Sequence, residues 1–166
     1  DNTIKIIKST ESGGSVSIDM DGATVISKEI LEAAKGKDVD VQLNMGGYTW
    51  TINGKDIKAS NLKDINLQVI LDTKNIPSKT LQALAGDNPI RQLSLAHEGD
   101  FGFKASLTVN VGSEHSGQFG NLYYHDSDRK MVFINAGKIN PDGNVSLEFS
   151  HASDYVIVMS DKEMSQ

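Results

Sequence analysis

Hydrophobic and polar positions alternate along most of this chain in short runs. Val39, Val41 and Leu43 alternate with Asp40 and Gln42, and beyond Gly46-Gly47 the alternation resumes as Tyr48, Trp50 and Ile52 against Thr49 and Thr51. A period of two places one set of side chains on one face of an extended chain, which predicts half-buried strands. The Gly-Gly pair supplies the positive φ values of a two-residue turn, so these two runs read as a hairpin. Asn53-Gly54 is a second hairpin signal and predicts another turn toward Ile57. The same pattern returns around Leu67 and Val69, Leu93 and Leu95, Leu107 to Val111, and Val145, Leu147 and Phe149. Leu122–His125 and Met131–Ile134 flank the polar loop 126–129, and Asn140-Pro141-Asp142-Gly143 is a turn.

Two segments depart from that period. Ser27 to Gly36 offers a Ser N-cap, an acid in the first turn, a Gly stop, and Ile30, Leu31 and Ala34 on one face. Pro77 to Gly86 follows the same plan with Leu81, Leu84 and Ala85. Both read as short helices that cap openings of the sheet structure, being too short to stand alone. Ser27, Lys28, Ile30 and Ala34 match Ser78, Lys79, Leu81 and Ala85 at a constant offset, which is consistent with a degenerate duplication and equally with two similar caps. Residues 1–14 read as an edge strand through Ile4 and Ile6 or as a linker, 15–160 as one module, and 161–166 as a polar tail. The expected fold is mainly β, a two-sheet antiparallel β-sandwich with two short capping helices.

Composition narrows the chemistry. The chain has 166 residues, enough for one domain with an ordinary core, and a formal charge of −6, the wrong sign for a partner of the nucleic-acid phosphate backbone. No apolar run approaches the roughly 20 residues that span a bilayer, so membrane insertion is not expected. The absence of cysteine excludes thiolate nucleophiles, zinc ribbons and iron–sulfur clusters.

The remaining chemical candidates are sparse. His97, His115, His125 and His151 have no metal-ligand spacing. Ser150, His151 and Asp154 supply the residue types of a hydrolase triad, yet on a strand Ser150 and His151 point to opposite faces and no nucleophile elbow is present. Asp19-Met20-Asp21-Gly22 and Asp126-Ser127-Asp128 are read as Asx turns; a surface calcium ion in such an oxygen-rich loop is the only cofactor left open, and no metal site is assigned. Tyr48, Trp50 and Tyr123 present two readings. Exposed, they would be a sugar-stacking platform; buried, they are a core stripe, which Ile52 on the same face of the strand favours.

The C-terminal third carries a distinctive pattern: Asn121-Leu122-Tyr123-Tyr124, Met131-Val132-Phe133, then the run from Asp142-Gly143-Asn144 through Ser150-His151-Ala152-Ser153-Asp154-Tyr155 to Val158. Together with Tyr48-Thr49-Trp50 and Leu93 to His97, it resembles a module recurring in large secreted, cell-surface proteins of Gram-positive anaerobes of the clostridial group, adhesin-like or cellulosome-associated. The likeness spans roughly residues 15–160. The resemblance implies an extracellular, non-catalytic spacer or protein-interaction domain whose partners are neighbouring domains of the same chain, a protein or a glycan. It transfers no catalytic residue. The alternative is a carbohydrate-binding module using Trp50, Tyr48 and Tyr123. His151, Asp154 and Tyr155 are expected to form a structural corner before the last strand, with His151 and Tyr155 locking it by hydrogen bonds, as a tyrosine corner does.

Overall fold

The computed structural model describes residues 2–164. Asp1, Ser165 and Gln166, which belong to the N-terminal and C-terminal segments set apart above, lie outside the described residues. Strand accounts for 46% of the chain and helix for 18%, so the protein is mainly β. The elements are α1 (Asn2–Ser9), β1 (Ser15–Asp19), β2 (Val25–Ile26), α2 (Lys28–Ala34), β3 (Asp40–Asn44), β4 (Tyr48–Asn53), β5 (Ile65–Asn66), β6 (Val69–Leu71), α3 (Ser78–Ala85), β7 (Ile90–Asn110), β8 (Phe119–His125), β9 (Met131–Lys138) and β10 (Asn144–Ser160).

These strands do not divide into the two antiparallel sheets expected. Eight of them form one sheet in the order β1-β3-β4-β7-β10-β8-β9, with β6 also paired to β7, and β2 and β5 make a separate ribbon. The large sheet is curled into a half-barrel, and its β1–β3 pair is parallel. The physical reason lies in β7 and β10. Each continues through a segment that reads locally as a turn, so the far halves of the sheet stay hydrogen-bonded to one another through two long shared strands. The bend falls at register shifts between Phe149 and His151 and between Ala152 and Asp154, opposite Gly99 and Gly102 at φ 80° and 87°. Bulges of this kind kink a strand without ending its pairing.

The bend creates two limbs. The first holds β1, β3, β4, the distal half of β7 and the proximal half of β10, and it turns Val41, Leu43, Trp50, Ile52, Leu107, Val109, Val145 and Leu147 inward. The second holds the proximal half of β7, the distal half of β10, β8 and β9, and turns Leu93, Leu122, Tyr155 and Ile157 toward the same core. Val156 and Val158, between those residues, point to the opposite face. There they join Tyr123, Ile76, Leu81 and Ala85 in a second apolar cluster beneath α3. α2 instead delivers Leu31 and Ala34 to the main core. The two helices of similar sequence thus sit on opposite faces of the sheet, and only α2 packs into the main core.

The N-terminal edge strand is corrected to a helix. Ile4 and Ile7 are three residues apart and share a helical face, Ile7 is fully buried, and Ile6 is left outside at 46% exposure. The helix is held rather than loose, since Lys37 Nζ donates to the Ile7 and Lys8 carbonyls at 3.1 and 2.7 Å. The expected turn at Asn53-Gly54 is also corrected. Asn53 caps a single 3-10 turn, Gly54–Asp56, and β4 pairs with β3 and with the distant β7 rather than with the segment toward Ile57.

Candidate functional site

The aromatic residues proposed for ligand stacking are turned into the protein. Trp50 is fully buried, packs edge-on against Phe101 and Phe149 with centroids 6.1 and 5.5 Å away, and donates its indole N–H to the Leu67 carbonyl at 2.8 Å. Tyr48, two residues earlier on the same face, accepts at its hydroxyl from the Val69 backbone N–H at 2.9 Å. Together they fasten the segment around β6 onto β4. Tyr123 is on another strand, 3% exposed, within the cluster under α3 and edge-on to Phe133. Burial pushes its phenol pKa upward. Trp50 and Tyr123 are thus buried and Tyr48 is half-buried, and Trp50 and Tyr123 belong to different apolar clusters.

Of the three residues expected at the corner, His151 and Tyr155 meet at the bend of β10. The Tyr155 hydroxyl donates to the His151 carbonyl and lies 3.2 Å from His151 Nδ1, which is also 3.0 Å from Ser153 Oγ. Tyr124 packs edge-on to the His151 ring at 4.7 Å, and Phe149 edge-on to Tyr155 at the same separation. Burial drives the Tyr155 phenol well above its ordinary pKa; the Ser153 hydroxyl opposes this and neighbouring Tyr124 adds to it. Asp154 faces elsewhere, its carboxylate accepting from Asn75 Nδ2 at 2.9 Å across to the loop before α3. Ser150, His151 and Asp154 therefore do not converge: Ser150 is exposed, and His151 and Asp154 are engaged with different partners.

The other histidines are dispersed. His97 on β7 has Nε2 3.2 Å from the Asp100 carbonyl, and His115, in a 3-10 turn, has Nδ1 3.0 Å from Gln118 Oε1. His125 lies opposite Asp154 in the β8–β10 register, and its Nε2 is buried with no hydrogen-bond partner among the described residues. The acidic loops close on themselves. Asp19 Oδ1 accepts from Asp21 N at 3.0 Å, and Asp126 Oδ1 accepts from both Asp128 N and Lys130 N. Among the described residues no three His, Asp or Glu side chains gather as metal ligands.

Two surface features escaped sequence reasoning. The first is the outer face of the first limb, where register aligns Ser17, Gln42, Thr51, Ser106 and Glu148 in one row and Asp19, Asn44, Thr49, Thr108 and Ser146 in the next. Several of these neighbours bond to each other, as Thr108 Oγ1 and Ser146 Oγ do at 2.7 Å. The alternation of each strand contained the signal, but the pairing that aligns the rows did not follow from it. The second is Asn135 on β9, whose side chain donates to the Glu148 carbonyl at 2.8 Å and accepts from Glu148 N at 3.0 Å. It occupies the free edge of β10 as a paired strand residue would. A groove of about 480 Å³ lies beside α3, lined by Ile76, Ser78, Leu81, Asn88 and Ile90 among others, with no histidine or carboxylate in its lining. No family model, curated protein or solved structure matches this chain.

Proposed function

We propose that this domain is a non-catalytic extracellular module of a larger bacterial surface protein, serving as a spacer or protein-interaction domain. The observation that carries the reading is how the chemistry-bearing side chains are used. The indole of Trp50, the hydroxyls of Tyr48 and Tyr155 and the ring of His151 all bond to other parts of the same fold, where they fasten β4 to the segment around β6 and brace the bend of β10. Side chains so engaged hold the shape of the fold, which supports a structural role. The strand arrangement supports a load-bearing spacer. The distal half of β10, from Asp154 on, lies between β7 and β8, both antiparallel to it, so a pull along that half loads two rows of backbone hydrogen bonds in shear. The acidic surface favours solubility in an exposed chain.

The test is to label intact cells of the source organism with an antibody raised against the domain, alongside a permeabilised sample. Labelling of intact cells is the expected result, and label confined to permeabilised cells overturns the surface reading. A glycan array with matched tryptophan fluorescence addresses the carbohydrate alternative, for which no binding is expected.

A further inference from the structure

Asn53-Gly54 is the single Asn-Gly pair in the sequence, the dipeptide in which the side-chain amide is most open to attack by the following backbone nitrogen, because glycine has no side chain to shield it. The fold needs both residues. Gly54 is buried so closely under α2 that a Cβ would stand 1.9 Å from the Ala34 carbonyl oxygen and 2.5 Å from that of Lys37. Asn53 Nδ2 donates to Asp38 Oδ1 at 3.1 Å and to Asp40 Oδ1 at 2.9 Å, while its Oδ1 accepts from Lys55 N at 2.9 Å. A side chain that is donor on one arm and acceptor on the other is what this position demands, and aspartate cannot be both.

We propose that Asn53 is a deamidation site held shut by the native fold, and that its conversion in the opened chain leaves a covalent mark that the fold then resists. In the reaction the Gly54 amide nitrogen, having lost its proton to solvent, bonds to Asn53 Cγ. The Cγ–Nδ2 bond breaks and ammonia leaves. Water then opens the resulting succinimide at either carbonyl, giving aspartate or isoaspartate. Three features of the folded protein oppose the first step. Gly54 N is engaged with the Val39 carbonyl at 3.0 Å, the amide is held at both ends, and Asn53 is extended at ψ 133°, whereas ring closure needs Cβ and the Gly54 nitrogen eclipsed about Cα–C. After conversion, the new carboxylate at position 53 faces those of Asp38 and Asp40 with no proton to offer. Isoaspartate also lengthens the main chain by one carbon at the end of β4.

The test is parallel incubation of the protein in mildly alkaline buffer with and without denaturing urea, followed by tryptic mapping of the peptide from Asp38 to Lys55. A one-dalton gain located at Asn53, accumulating at least about tenfold faster in urea, is expected, since access requires opening of the structure. Equal rates in the two samples overturn the gating. Asn53→Asp is expected to melt about 3–10 °C below wild type, and Asp40→Asn combined with Asn53→Asp to recover part of the loss by restoring a donor. An Asn53→Asp variant that melts with wild type, or a double variant no better than the single, overturns the proposed cost of the mark. An Asn53→Asp variant that fails to fold where the double variant folds supports it.

Discussion

The two limbs of the half-barrel solve the same packing problem differently. The first is covered on one side: Leu43, Trp50 and Leu107 face the core, while Asn44, Thr49 and Thr108 form rows in solvent. The second is covered on both sides, with Tyr155 and Ile157 in the main core and Val156 and Val158 under α3. An antiparallel sheet tolerates one wet face, so the first limb needs nothing beyond alternation. The second needs a lid, and a short helix is enough because only a few apolar side chains lie beneath it. The limbs therefore differ in how separable their parts are. The first is one layer bound to the core, and the second carries a layer that can be loosened alone.

Substitutions grade that difference. Trp50→Ala should be the most damaging, at about 3–5 kcal/mol, because it leaves a cavity between the limbs and an unpaired Leu67 carbonyl. Chemical denaturation checks it, and a loss under 1 kcal/mol would mean that the main core is not shared. Leu81→Ala should cost less, about 2 kcal/mol, and should raise amide exchange in α3 while β3 and β4 stay protected. Uniform exchange across both limbs would abolish the distinction drawn here.

At the bend joining the limbs, the Tyr155 phenol keeps its proton to higher pH in the folded state than in the unfolded chain, where its pKa is about 10. The native state then binds the extra proton, so this contribution is whole below pH 10 and declines as pH rises past it. Tyr155→Phe should lose about 1 kcal/mol at neutral pH and show a shallower alkaline decline than wild type in urea titrations. Parallel declines would remove Tyr155 as the source. On the outer face of the first limb, Thr108→Ala should fall within about 0.5 kcal/mol of wild type by thermal melting.

Legibility in the sequence followed the same division. Strands of the first limb announce themselves because Val41 and Leu43 alternate with Gln42, and the core role of Trp50 followed from Ile52 on the same face. The Ser27 cap of α2 is local chemistry and was readable too, its Oγ accepting from Ile30 N at 3.3 Å. What could not be read locally is continuity. His97-Glu98-Gly99-Asp100 and Ser150 to Ser153 have the composition of turns, yet β7 and β10 pass through them because each supplies the other's hydrogen bonds. One curled sheet was thus mistaken for two. The N-terminal segment failed for a different reason: Ile4, Ile6 and Ile7 fit a strand or a helix, and the docking surface on α2 decides. Of the corner, the partners His151 and Tyr155 were foreseeable from their spacing across a bend, whereas the pairing of Asp154 with Asn75 depends on a loop 79 positions away.

β10 comes last among the strands and is laid between β7 and β8, both of which are made earlier. During synthesis the emerging chain must therefore carry two apolar strand edges with a vacancy between them until residues 144–160 leave the ribosome. Val145, Leu147, Phe149, Tyr155, Ile157 and Met159 of the main core arrive only with that strand. Folding of this domain is in that sense a terminal event, and the interval before it is when the nascent protein is most open to pairing with the wrong strand or to capture by a chaperone.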